Sequence, residues 1–284
     1  MARHPQFDEV SPEVGVLDEN AMEKALSEDA DKALSLLADL SGATDVRLRQ
    51  LARRLAGRLV VDLARCGVPR ARGVGRLRRD RADRAEGDLD VDASLEPLVL
   101  AGAGGGPPAL DQLIVRSWGR HELALCLVVD RSGSMGGQRL ATAAVAAAAS
   151  ALRAPSDWSM LAFADRVLVL KSQAELRSAA AVVDDVLSLR GFGPTDLALA
   201  LRSAQLQLSQ TRAGRRLVVL LSDCRSTAGS DPAIVAGNID ELAIVAPADD
   251  SDDAAALAAR VGCRWVPLES PAAVPSAFSQ LLDR

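Results

Sequence analysis

A run of core-type residues ends in a cluster of oxygen-bearing side chains within Leu123 to Met135, LALCLVVDRSGSM. A short apolar run bounded by such a turn predicts a buried strand that delivers polar groups to the edge of a sheet. Asp130, Ser132 and Ser134 alternate along the chain, so an extended or turning backbone brings their oxygens to one side. Oxygen-only ligands suit a hard cation such as Mg2+. This stretch therefore predicts a cation site.

The same spacing resembles the D-x-S-x-S metal-ion-dependent adhesion site of von Willebrand factor A (VWA) domains. Two further elements of that site follow in the expected order, Thr195 and Asp223. The resemblance implies that Ser132, Ser134 and Thr195 supply hydroxyl ligands, while Asp130 and Asp223 act mainly through bound waters or as acceptors behind the ligands. It also implies Mg2+, with Mn2+ as the alternative ion, and an open position that takes a partner protein's Asp or Glu carboxylate.

Residues next to the implied ligands are expected to contact the partner: Arg131, Met135 and Pro194. For Arg131 two interpretations remain open, a bidentate grip on an incoming carboxylate and a merely solvated side chain. The chain departs from the VWA pattern at Pro194 and Cys224, where glycine is frequent. We expect Pro194 to restrict the loop motion that brings Thr195 to the ion.

Strands alternate with helices from Leu110 onward, which predicts a doubly wound, Rossmann-like and mostly parallel α/β sheet of roughly six strands. In such a sheet, ligands bind outside the carboxyl ends of strands at the topological switch point. Asp130 and Asp223 both end apolar runs, so both belong on that rim. A hairpin over Met160 to Leu170 predicts one antiparallel edge strand, and Ser172 to Glu175 has the pattern of a capping box that opens a helix.

A small helical region is predicted before this domain. One helix begins at Ser27 and ends at Ser41-Gly42, and a second runs from Thr44 to Gly67, which together indicate an antiparallel helical hairpin. The basic run Arg70 to Arg84 follows, and Ala101 to Pro108 is typical of a flexible connector. We therefore divide the chain into residues 1–109 and a VWA domain over residues 110–284.

Bulk properties narrow the class of protein. The chain has 284 residues, 49% of them hydrophobic, and a formal net charge of -5, which provides no overall attraction to nucleic acid or anionic membrane. Its four cysteines lie far apart without a C-x-x-C pair, so small buried hydrophobes are the expected role. The start lacks the apolar segment of a secretory signal, and no apolar stretch is long enough to span a bilayer, so we expect a soluble cytoplasmic protein.

The helical region and the VWA-like domain together resemble bacterial CoxE-like and magnesium-chelatase-D-like proteins, which work with a MoxR-class AAA+ ATPase. The chain carries no G-x-x-x-x-G-K-[ST] loop, so ATP chemistry must belong to a partner. We hypothesise a non-enzymatic, Mg2+-dependent adaptor that links such an ATPase to a client in metal insertion or complex maturation.

Two alternatives belong to other classes. A metal-dependent hydrolase or phosphotransferase would use Ser132 or Ser134 as nucleophile, but no Ser-His-Asp arrangement and no G-x-S-x-G motif is evident. An RNA-binding VWA protein would use Arg70 to Arg84, but no aromatic residue interleaves these arginines to stack on bases.

Overall fold

The computed structural model describes residues 7–11, 17–42, 46–66, 76–83, 88–104, 106–119, 123–131, 137–191 and 193–282. The strands are β1 Arg76–Arg81, β2 Asp88–Leu89, β3 Ile114–Gly119, β4 Leu123–Asp130, β5 Trp158–Phe163, β6 Val167–Lys171, β7 Arg215–Leu221, β8 Glu241–Pro247 and β9 Arg264–Leu268. The α-helices are α1 Phe7–Val10, α2 Glu19–Glu28, α3 Ala30–Ser41, α4 Val46–Cys66, α5 Leu95–Gly104, α6 Gly137–Arg153, α7 Ala179–Leu187, α8 Leu197–Leu208, α9 Pro232–Ala236, α10 Asp252–Val261 and α11 Val274–Leu282, and a 3-10 turn covers Pro271–Ala273. Each helix within these ranges is too short or too polar to cross a lipid bilayer.

The chain forms two compact units, one of residues 1–69 with 123–284 and one of residues 70–122. In the first, a six-stranded sheet has the order β6-β5-β4-β7-β8-β9. Only β6 runs antiparallel, at one edge, and its hairpin with β5 was predicted. The chain passes from β4 to β5 on one side of β4, and later returns to β7 on the other side. The strand order therefore reverses between β4 and β7. The predicted doubly wound α/β fold is confirmed.

The alternation of buried side chains along β4 divides the core of the first unit into two layers. Leu125, Leu127 and Val129 face one hydrophobic cluster, whereas Ala124, Cys126 and Val128 face the other. The first cluster includes buried leucines of α3 and α4, which pack beside α6 and α7. The N-terminal helices therefore complete one face of the same core as the sheet, and the predicted boundary between residues 109 and 110 lies inside the second unit.

The second unit contains an antiparallel sheet of order β1-β3-β2 and helix α5. Part of the basic run forms β1, and a buried carboxylate, Asp90, lies 2.7 Å from Arg79 Nε and accepts a 2.5 Å hydrogen bond from Arg116 Nη2. This Arg116 hydrogen bond holds the pKa of Asp90 below its usual value, although burial opposes the shift. The predicted connector is wrong over Ala101 to Gly104, which continue α5, because an apolar run from Leu95 carries the helix through these small residues.

Two predicted helix starts are wrong. Ser27 lies inside α2, and α3 instead begins after Asp29, whose carboxylate accepts a hydrogen bond from the Lys32 amide. Glu175 does accept a hydrogen bond from the Ser172 amide, but this pair closes only a single turn. Helix α7 begins seven positions later in the sequence than Ser172, after the cap Ser178. The sequence therefore indicated the right types of capping residue, but it misplaced the starts of α3 and α7.

Candidate metal centre

Two neighbouring parallel strands bring Asp130 and Asp223 to the same rim. Asp130 is the last residue of β4, and Asp223 follows β7 by two positions. Ser222, which is buried, donates a hydrogen bond from Oγ to Asp130 Oδ2 at 2.8 Å. The ends of the two strands are therefore linked by a side chain, with one carboxylate oriented by a hydroxyl donor.

Asp223 is a half-buried carboxylate in an acidic surrounding. Burial raises its pKa, and the charges of Asp130 and Asp250 raise it further, although the Arg225 amide donates a 2.9 Å hydrogen bond to Oδ1. The guanidinium of Arg225 also pairs with Asp250 at 2.6 Å and with Asp253 at 3.3 Å. The charges of two neighbouring carboxylates therefore act on Asp223 at this rim, and the charge of Arg225 opposes them.

Thr195 is held through its backbone by the loop that follows β7. Its amide donates to Thr227 Oγ1 at 2.9 Å, and its carbonyl accepts from the amides of Thr227 at 3.0 Å and Ala228 at 3.1 Å. The residue is buried. The hydrogen bonds that the described residues make to Thr195 all use its backbone atoms.

A cleft of about 170 Å³ opens beside the two carboxylates at the carboxyl ends of β4, β7, β8 and β9. Further acids line it, Asp249 and Glu269, both exposed. Its opposite walls come from the first turns of α6 and from Ser270 and Pro271 before α11. The two strand-end carboxylates therefore line an open cleft.

The remaining predicted site residues are placed as follows. Ser132, Ser134 and Met135 lie outside the described residues. Arg131 is only 5% exposed, and its Nη1 donates to the Arg190 carbonyl at 3.4 Å, on the loop that leads to Thr195. Pro194 is exposed on that same loop. In the described ranges, no three His, Cys, Asp or Glu side chains gather as metal ligands.

Cys224 explains one departure from the VWA pattern. It is the non-glycine residue with positive φ in the described chain, at +65°, a backbone region that favours glycine. Its amide donates to Ser222 Oγ at 2.9 Å, so the serine that orients Asp130 is itself fixed by the turn. Sequence reasoning missed Ser222, although its place directly before Asp223 at the end of an apolar run was a usable signal.

Comparison with known proteins gives a family match. The model of the family described as VWA domain containing CoxE-like protein matches residues 59–245. A search of curated proteins gives no match.

Several solved structures are similar to this chain at low sequence identity. The conserved hypothetical protein BatB from Bacteroides thetaiotaomicron has 13% identity and a TM-score of 0.44, covering 57% of this chain and 100% of that one. Proximal thread matrix protein 1 of the mussel byssus has 12% identity and a TM-score of 0.48, covering 56% and 44%. The manganese-loaded TRAP protein of Plasmodium vivax has 18% identity and a TM-score of 0.45, covering 57% and 74%.

Proposed function

This chain belongs to the family of VWA domain containing CoxE-like proteins, and we propose that it is a metal-dependent protein-binding adaptor. In this proposal, a divalent ion on the rim at Asp130 and Asp223 captures a carboxylate of a partner protein. The observation that carries it is the placement of these two carboxylates at the carboxyl ends of neighbouring parallel strands, at the switch point of the sheet and beside an open cleft.

The donor set fits Mg2+, with Mn2+ as the alternative. Carboxylates and hydroxyls are the ligands that hard cations prefer, and the like charges of Asp130 and Asp223 call for a counter-ion. We assign Ser132, Ser134 and Thr195 as hydroxyl ligands, with Asp130 and Asp223 held behind them. When bound, the ion supplies an incompletely neutralised coordination position that an external carboxylate can take.

The residues of the chain prepare this position. Ser222 orients Asp130, the Thr227 and Ala228 amides fix the Thr195 backbone, and Arg131 ties the end of β4 to the loop before Thr195. Because Arg131 is buried and bonded to Arg190, we assign it to loop positioning ahead of partner contact. Fixed loops reduce the entropy lost when a ligand closes the site.

We further propose that the partner is a MoxR-class AAA+ ATPase, and that the chain links it to a client in metal insertion or complex maturation. The family resemblance supports this assignment, and so does the lack of a phosphate-binding G-x-x-x-x-G-K-[ST] loop in this sequence. The adaptor itself is proposed to be non-enzymatic, working in the cytoplasm.

A capture experiment tests the proposal. Immobilised full-length chain is expected to retain an AAA+ ATPase from lysate of its own host in Mg2+, and to release it in EDTA, with identity established by mass spectrometry. Asp130→Ala should lose this capture. Asp249→Ala is the matched control, since it removes an acid from the same cleft without touching the strand-end pair.

Equal capture by Asp130→Ala, or capture that persists in EDTA, would rule out the ion mechanism.

Two further assays test the alternative functions. Hydrolysis of a model ester or phosphate that Ser132→Ala abolishes would indicate an enzyme. RNA binding that weakens steeply with rising salt would indicate a nucleic-acid-binding protein.

A further inference from the structure

We propose that a groove between helices α4 and α7 docks an acidic helix of a partner protein. Among the described residues, none lines both this groove and the cleft beside Asp130. Docking at the groove needs no bound ion, so it adds a second binding surface to the function proposed above.

Arginines dominate the lining of the groove. Its larger part, of about 890 Å³, lies between α4 and α7, and a smaller part, of about 420 Å³, adjoins it at Arg53 and reaches α3. Three aspartates and six arginines line the two parts together, the arginines being Arg49, Arg53, Arg54, Arg58, Arg65 and Arg190. The whole chain carries a formal charge of -5. This arginine groove therefore concentrates positive charge on an acidic protein, which favours an acidic partner.

A glycine shapes the floor of the arginine groove. Gly57 of α4 is buried beside α7, where an added Cβ would lie 3.7 Å from the Cβ of Ala180. Because glycine has no side chain, the face of α4 has a hollow here, bordered by arginines. A partner helix can therefore lie close to the backbone of α4.

Three exposed arginines lie on one face of α4. Arg54, Arg58 and Arg65 are separated by four and seven positions, which places them on the same side of a helix. At about 1.5 Å per residue, they span roughly 16 Å along the helix axis. Arg54 has no ion-pair partner among the described residues. The face thus presents positive charge over about three turns, part of it uncompensated.

Helix α2 shows how α4 receives glutamates. Glu19 and Glu23, which are one turn apart on α2, both accept hydrogen bonds from Arg58 Nη2, at 3.0 and 3.1 Å. Glutamates at this i, i+4 spacing share one face of a helix. A partner helix with the same spacing would meet Arg54 and Arg65 in the same manner. The pair of Arg65 with Asp62 is exposed, and such pairs contribute little, so it yields readily to a partner.

The lining of the arginine groove favours a protein over a nucleic acid. Asp184 lies 3.5 Å from Arg53, and Asp62 lies 3.0 Å from Arg65. A continuous phosphate backbone would meet these carboxylates, whereas a helix can place each glutamate opposite an arginine. None of the described residues that line the groove is aromatic, so bases would have no surface on which to stack.

Fluorescence polarisation of a labelled peptide, at low salt and in EDTA, tests docking independently of the ion site. The probe is an alanine-based helical peptide of about 18 residues, with glutamates at i, i+4 spacing along one face. Arg54→Ala should weaken its binding to the full-length chain about threefold, and the charge reversals Arg54→Glu and Arg65→Glu about tenfold each. Arg166→Glu is the matched control, since this exposed arginine lies on the turn between β5 and β6, outside the groove.

Two competing probes complete the test. A peptide isomer with the same glutamates spread around the helix should bind more weakly than the one-faced peptide. An oligouridylate of equal net charge should also bind more weakly. The circular dichroism spectrum should be unchanged in Arg54→Ala, because the side chain is exposed.

Four results would overturn the proposal. The first is a wild type that does not bind the one-faced peptide, and the second is a loss in Arg166→Glu as large as that in Arg54→Glu and Arg65→Glu. The third is equal binding of the peptide isomer, which would leave only net charge as the cause. The fourth is tighter binding of the oligouridylate that Arg54→Glu abolishes, which would make the groove a nucleic-acid surface.

Discussion

Gly137→Ala tests the packing of the N-terminal helices against the α/β domain. Alanine at φ of +40° costs about 1–2 kcal/mol, the penalty of a left-handed backbone for a residue with a Cβ. The new Cβ also meets Ser35 Oγ at 2.6 Å, and overpacking of this kind adds about 1–3 kcal/mol. We expect the free energy of unfolding to fall by about 2–5 kcal/mol in total, since the backbone penalty and the overpacking act at the same site.

A double-mutant cycle separates the backbone penalty from the overpacking. The free energies of unfolding are measured by urea denaturation, followed by circular dichroism. Ser35→Ala removes the oxygen that the new Cβ would meet, so Gly137→Ala should cost only the backbone penalty of about 1–2 kcal/mol in that background. A coupling energy near zero between the two positions would refute the close approach of α3 to the start of α6. A cost of Gly137→Ala below about 0.5 kcal/mol, the usual range for surface changes, would refute the strained backbone as well.

Three further outcomes follow from the described contacts. Arg116 lowers the pKa of Asp90, so the stabilisation from this pair is complete above the unfolded-state pKa of about 3.9. It is lost as the pH falls through the lower pKa of the folded state. The stability of Asp90→Asn should therefore depend less on pH than that of the wild type below about pH 4. Leu127→Ala, at a fully buried position of β4, should cost about 2–5 kcal/mol in urea denaturation. Cys224→Val should be less stable than Cys224→Gly by about 1–2 kcal/mol in thermal unfolding, since φ is +65° there.

Hydrophobic periodicity predicted the α/β sheet well because each central strand is a short apolar run bounded by polar turns. Leu123 to Val129 and Leu217 to Ser222 were placed within a few residues of β4 and β7. The antiparallel β6 followed from its hairpin with β5. These elements depend on local signals that tertiary context leaves unchanged.

Other features depend on contacts between distant residues and so escaped sequence reasoning. The backbone of β1 pairs with β3, and the Asp90 carboxylate forms ion pairs with Arg79 and Arg116. No local sequence pattern indicates these contacts. The N-terminal leucines were correctly assigned to an apolar helix face, but sequence could not say that this face packs on α6. The positions of Asp130 and Asp223 at strand ends followed from the sequence. The hydrogen bonds of Ser222 to Asp130 and of Gly137 to Asp39 did not, because each joins residues more than 90 positions apart.

Isothermal titration of Mg2+ into the full-length chain tests the central claim most directly. The wild type should give a single-site isotherm, and Asp130→Asn, which is isosteric, should bind at least about tenfold more weakly, as is typical when a group behind a metal ligand is altered. Glu269→Gln, in the same cleft, should bind as the wild type does. A flat wild-type titration, or an Asp130→Asn isotherm equal to that of the wild type, would contradict the ion site.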